Sequence, residues 1–87
     1  MVMDGLCIGI HGDKVWYKND DFHRLNGPSI EYKLGHKWWY QNGKRHRLDG
    51  PALDFPSGNK EWYYQGKYID CSNQEEFERL IKLKLLW

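Results

Sequence analysis

The chain has 87 residues, 13 Lys and Arg against 12 Asp and Glu, and a formal net charge of +1. That length accommodates a single domain, and an aromatic fraction of 16% excludes a disordered chain. The near-neutral balance argues against a dedicated duplex-binding protein, and the longest uncharged apolar run, Gly5 to Ile10, falls far short of the roughly 20 residues of a membrane helix.

In chain order, the N-terminal Met1-Val2-Met3-Asp4 carries neither a basic region nor a long apolar segment. No signal peptide is therefore read, and the cytoplasm is the expected compartment. Leu6, Ile8 and Ile10 alternate with other residues and predict a first strand, which matches the rest of the chain poorly. From there the chain repeats itself. His23-Arg24-Leu25-Asn26-Gly27-Pro28 recurs as His46-Arg47-Leu48-Asp49-Gly50-Pro51, an offset of 23, and residues 23–45 share 11 identities with 46–68. The offset also reaches backwards: Gly12, Lys14, Trp16, Tyr17, Asn19 and His23 match Gly35, Lys37, Trp39, Tyr40, Asn42 and His46.

Each unit reads as a β-hairpin. Pro28-Ser29-Ile30-Glu31-Tyr32 and Pro51-Ala52-Leu53-Asp54-Phe55 have the period-2 alternation of a half-buried strand. Turns follow around Gly35 and Gly58, then return strands through Lys37-Trp38-Trp39-Tyr40 and Lys60-Glu61-Trp62-Tyr63-Tyr64. Ser72-Asn73-Gln74-Glu75 is a capping box, and Phe77, Leu80, Ile81 and Leu85 recur at helical spacing after it. Lys84 interrupts that stripe, so the helix is expected to end near Leu83, with Leu85-Leu86-Trp87 as a packed tail. Ile69-Asp70 stands where a third His-Arg would be, the position at which a repeat array needs a terminal cap. The expectation is a mainly β single domain, 1–87. A meander of about three repeated hairpins, about six strands over residues 5–70, is capped by one C-terminal helix and tail over 72–87.

The pattern WYxxGKxHRxDGPAxxxxxGxKxWYxxGK resembles the degenerate MORN-type repeat of small bacteriophage-encoded proteins, over roughly residues 12–68. The Ile69-Asp70-Cys71 segment and the acidic helix start resemble the usual ending of such proteins. The resemblance implies a non-enzymatic scaffold or contact surface, and, by analogy, an accessory protein that docks on and inhibits a host defence protein in the host cytoplasm. The first unit departs from the pattern, with Asp20-Asp21 where Gly-Lys would stand.

No recognisable nucleophile, metalloprotease or phosphate-loop motif is present, and neither enzyme activity nor a cofactor or metal is expected. Cys7 and Cys71 are far apart with no CxxC; one disulfide is possible, but a reduced pair is the expectation. His23 and His46 occupy equivalent turns, where they either brace the next hairpin or offer paired imidazoles. Alternation places Trp16, Trp39 and Trp62 on one sheet face and Tyr17, Tyr40 and Tyr63 on the other, with Trp38 beside Tyr40. The Trp row, with Ile30, Tyr32, Leu53 and Phe55, is expected under the helix. The Tyr row, interleaved with Glu31, Asp54 and Glu61, is then the candidate partner surface, unless its tyrosines simply stack across strands. Arg24, Arg45, His46 and Arg47 are candidate contacts for phosphate or an acidic partner, which would make the protein a nucleic-acid or nucleotide binder. A structural homodimer joined through sheet edges is the further alternative.

Overall fold

A computed structural model describes residues 3–85. The elements are β1 (Gly5–Ile8), β2 (Lys14–Lys18), β3 (Asp21–Phe22), β4 (Ile30–Glu31), β5 (Lys37–Trp38), β6 (Tyr40–Gln41), β7 (Lys44–Arg45), β8 (Leu53–Asp54), β9 (Lys60–Tyr64), β10 (Lys67–Ile69) and α1 (Gln74–Leu85). All strand pairings are antiparallel. The main sheet runs β1-β2-β4-β5-β8-β9-β10, with β3 on β2, while β6 and β7 form a two-stranded ribbon. The fold is thus the expected mainly β meander with one C-terminal helix.

There are more strands than the six expected because each unit turns the chain twice. The first turn is held by two backbone bonds: Tyr32 N donates to His36 O at 2.9 Å and Gly35 N to Tyr32 O at 2.9 Å. Phe55, Asn59 and Gly58 repeat that pair at 3.0 and 2.9 Å, and Gly9, Asp13 and Gly12 at 2.8 and 3.0 Å. β1 is therefore the opening strand of a full unit, although its side chains match the repeat poorly. The second turn places two consecutive residues at positive φ: Asn42 and Gly43 at 51° and 80°, Gln65 and Gly66 at 48° and 87°. This is the two-residue hairpin geometry whose twist suits antiparallel strands. In the first unit Asn19 and Asp20 take these places at 49° and 70°. Aspartate stands there without glycine's freedom, and the N-terminal segment secures it. Asp20 N donates to Met3 O at 3.0 Å, and Met3 N to Asp20 Oδ1 at 2.6 Å.

β9 is continuous, but its equivalent one unit earlier is split into β5 and β6 at Trp39. At that split Trp39 N donates to Ala52 O of the next unit at 2.7 Å, and the buried Ser29 hydroxyl bridges Tyr40, donating to its O at 2.7 Å and accepting from its N at 2.9 Å. Ala52 stands at the Ser29 position in the next unit, where β9 is whole.

The helix begins one residue later than the capping box suggests. Asn73 is the cap, its Oδ1 accepting from Glu76 N at 2.9 Å, and Glu76 Oε1 accepts from Ser72 N at 3.1 Å. That phase turns Phe77 and Ile81 onto Trp62 and Ile69, the main buried cluster, with Tyr64, Cys71 and Leu80 at its margin. The helix continues past Leu83 to Leu85. Packing of a Leu85-Leu86-Trp87 tail lies outside the described residues. Cys7 and Cys71 lie at opposite ends of the sheet and are both free thiols. Burial raises the pKa of Cys71 above its ordinary value, helped by Glu76 and Asp70.

Candidate functional site

Register decides which side chains share a face. Ile30 lies opposite both Val15 and Trp38, and Leu53 opposite Trp38 and Glu61. Val15, Ile30, Trp38, Leu53 and Glu61 therefore form one row, on the same face as Tyr17, Tyr40 and Tyr63. Lys14, Glu31, Lys37, Asp54 and Lys60 form the matching row on the Trp16, Trp39 and Trp62 face.

Two expectations are corrected here. Ile30, Tyr32, Leu53 and Phe55 do not pack with the Trp row under the helix, and Glu31 and Asp54 are not interleaved with the tyrosines. Both carboxylates belong to a ladder of alternating charge, in which Lys60 Nζ reaches Asp54 Oδ1 at 3.3 Å, while Arg24 Nη1 lies 3.7 Å from Glu31 Oε2. The wide turn causes the change. It pairs Ile30 with Trp38 rather than Trp39, and a one-residue difference in register exchanges the faces of a strand.

The helix covers only Trp62, whose Nε1 donates to Gln74 Oε1 at 2.7 Å. Trp16 and Trp39 are covered by arginine. The Arg24 guanidinium lies 3.8 Å from the Trp16 ring centroid, and Arg47 lies 3.8 Å from Trp39. Each arginine is held on its far side by its own loop. Nη1 donates to Pro28 O at 3.2 Å or Pro51 O at 3.1 Å, and Nε to Asn26 Oδ1 at 3.3 Å or Asp49 Oδ1 at 3.0 Å. A Cβ on Gly27 would lie 2.8 Å from Arg24 Cζ, and one on Gly50 only 2.5 Å from Arg47 Cζ. A side chain at the glycine of the His-Arg-x-Asn/Asp-Gly-Pro motif would thus displace the guanidinium that lies against it.

The histidines brace the next unit. His23 Nδ1 accepts from Asn42 N at 3.0 Å and His46 Nδ1 from Gln65 N at 2.9 Å, which requires the unprotonated nitrogen. Burial lowers the pKa of His46 below its ordinary value. In the first unit, Asp4 Oδ1 accepts from Asn19 N at 2.7 Å in the same role. Among the described residues, no group of three His, Cys, Asp or Glu side chains comes together as a metal site.

The opposite face carries a continuous polar-aromatic row. Tyr17 and Phe22 have ring centroids 5.5 Å apart, and Phe22 and Tyr40 5.2 Å apart. Arg45 then bridges two units, its Nε donating to the Tyr40 hydroxyl at 3.2 Å and Nη1 to the Tyr63 hydroxyl at 3.0 Å. These bonds raise the already high pKa of Arg45, the one to Tyr40 most, and its charge is fixed. Tyr63 donates to Glu61 Oε1 at 3.3 Å, and its ring lies 5.6 Å from Tyr68. Tyr17, Trp38, Tyr40 and Tyr63 are therefore on one face, as expected. Arg45 joins them, whereas Arg24, His46 and Arg47 belong to the loops of the other face. Phe22, Arg45 and Tyr68 are repeat equivalents opposite Tyr17, Tyr40 and Tyr63. The sequence signal for Phe22 and Tyr68 was available in that offset, but the variable residue type obscured it.

Beside this row is a groove of about 620 Å3 lined by His11, Asp13, Tyr32, Lys33, Leu34, His36 and Trp38. Tyr32 and Trp38 meet edge to face at 5.0 Å and 70°, Tyr32 and His36 at 6.0 Å and 83°. Burial raises the pKa of Tyr32, with Tyr40 and Asp13 adding to it, so its hydroxyl stays neutral.

No protein-family model, curated protein or solved structure matches this chain. Among the described residues no helix is long and apolar enough to cross a membrane.

Proposed function

We propose that this protein is a non-enzymatic protein-binding module, and that its docking surface is the row Tyr17–Phe22–Tyr40–Arg45–Tyr63–Tyr68 with Trp38 beside it. One observation supports this above the others. The helix and both arginine loops gather on the Trp face, while the opposite face carries the buried Ile30 and Leu53 among half-buried rings, one fixed guanidinium and the exposed Tyr68. Tyr, Trp and Arg are the side chains that dominate interface hot spots, since they present large contact area with few rotatable bonds. The resemblance to phage-encoded repeat proteins narrows the partner to a host protein in the host cytoplasm, with inhibition of a defence protein as the outcome. Arg24 and Arg47 favour a phosphate contact less, being stacked on tryptophan and bonded within their own loops.

Capture of a partner from host lysate, with the partner then purified, tests the reading. Tyr40→Ala and Tyr63→Ala, shown to be folded by circular dichroism, are expected to lose binding to the purified partner by tenfold or more, roughly the 2 kcal/mol of a hot spot. Unchanged affinity in both folded variants would move the interface off this face.

A second reading has its own observation. Among the described residues β1 is an unpaired sheet edge without a charged side chain, where Leu6 is 48% and Ile8 66% exposed, and such an edge can pair with a second copy. Sedimentation at high concentration distinguishes the two, since a clean monomer excludes edge pairing.

A further inference from the structure

We infer that the groove beside the aromatic row is a cation site, built to receive the alkylammonium head of a lysine from the docked protein. Three aromatic groups form its walls. Tyr32 meets Trp38 at 70° and His36 at 83°, so the three rings line the groove without stacking on one another. Ring faces attract cations through their quadrupole, and several faces around one charge act together. This chain already uses that chemistry on its other face, where Trp16 and Trp39 each hold a guanidinium at 3.8 Å. Among the described residues Arg45, the one guanidinium placed over a ring of the groove, is 5.9 Å from Trp38 and committed to two tyrosine hydroxyls.

The carboxylate supplies the sign. Asp13 lines the groove and accepts from Lys33 N at 2.8 Å through Oδ1. Among the described residues it forms no ion pair. It is therefore an anion fixed by a backbone donor with no cation in direct contact, while Lys33, His11 and His36 line the groove around it. Lys33 also lines the groove, but its stem runs back over Gly12, where a Cβ would lie 3.4 Å from Lys33 Cδ. An apolar side chain would fill the walls equally well but would leave Asp13 uncompensated, and an anion would meet it directly.

The docking reading supplies only the source of the cation; the site itself is testable without a partner. The probe is tetramethylammonium, titrated at constant ionic strength against the neutral isostere tert-butanol, with the Trp38 indole and Tyr32 ring resonances followed by NMR. Tetramethylammonium is expected to give saturable shifts with a Kd of roughly millimolar order, while tert-butanol binds at least several-fold more weakly. Asp13→Asn keeps an oxygen for Lys33 N and removes the charge, so it is expected to weaken the cation about three- to tenfold and leave tert-butanol unchanged. Equal shifts from both probes, or an unaltered cation affinity in Asp13→Asn, overturn the inference. Either result leaves the Tyr40 and Tyr63 test standing, so the two proposals fail separately.

Discussion

Trp16, Trp39 and Trp62 occupy one position in three successive units, yet they are covered by different chemistry. The first two rings carry a guanidinium held by the loop that follows. The third lies beneath Phe77 and Ile81 and donates to Gln74. The half-exposed loop cap leaves Trp16 and Trp39 partly open, while Trp62 falls to 7% exposure. A cap made from the repeat itself can be continued by another unit, because it braces the next hairpin through His23 or His46. The helix cannot be continued. It replaces His-Arg with Ile69-Asp70 and closes the array with apolar contact.

The difference can be broken from either side. Phe77→Ala has the largest expected effect, since Phe77 is fully buried and its removal leaves a cavity at the helix cap, costing about 3–5 kcal/mol in urea unfolding. Gly50→Ala comes next. The added Cβ pushes the Arg47 guanidinium off Trp39, costing about 1–3 kcal/mol. If the arginine contact is the reason for the glycine, Arg47→Ala combined with Gly50→Ala will be clearly less damaging than the sum of the two single changes. Additivity of the two would show that Gly50 serves something else.

A smaller effect is expected from acid. The folded pKa of His46 lies below the unfolded value near 6.5, so the unfolded chain binds the proton more tightly. Its contribution is fully present above that value and is lost as pH falls through the lower, folded one. Urea midpoints measured from about pH 8 to pH 5 should fall, and His46→Gln should flatten that slope. Gln65→Asn is the mildest change. Gln65 has a φ of 48°, like Asn42 at 51°, and asparagine tolerates this region better, so a gain of up to about 1 kcal/mol is expected.

Much of this was legible in the residues. The 23-residue offset identified the hairpins, the turns at Asn42-Gly43 and Gln65-Gly66, and the need for a different cap after Ile69-Asp70. The aromatic row was half legible: Tyr17, Tyr40 and Tyr63 could be assigned a common face by alternation along each strand. What covers each face was not legible, because alternation within a strand does not say which residue lies across from it. Glu31 and Asp54 were misplaced for that reason, as were Ile30, Tyr32, Leu53 and Phe55, which were assigned to the Trp face.

By itself, then, the sequence determined the unit, its strands, its glycine-dependent turns and its terminal helix, because these depend on local backbone preference and on period. The tertiary structure alone decided that Ile30 faces Trp38, that arginine rather than the helix shelters Trp16 and Trp39, and that Arg45 links Tyr40 to Tyr63. Those outcomes depend on cross-strand register and on contacts between units, both set by how each turn closes in space.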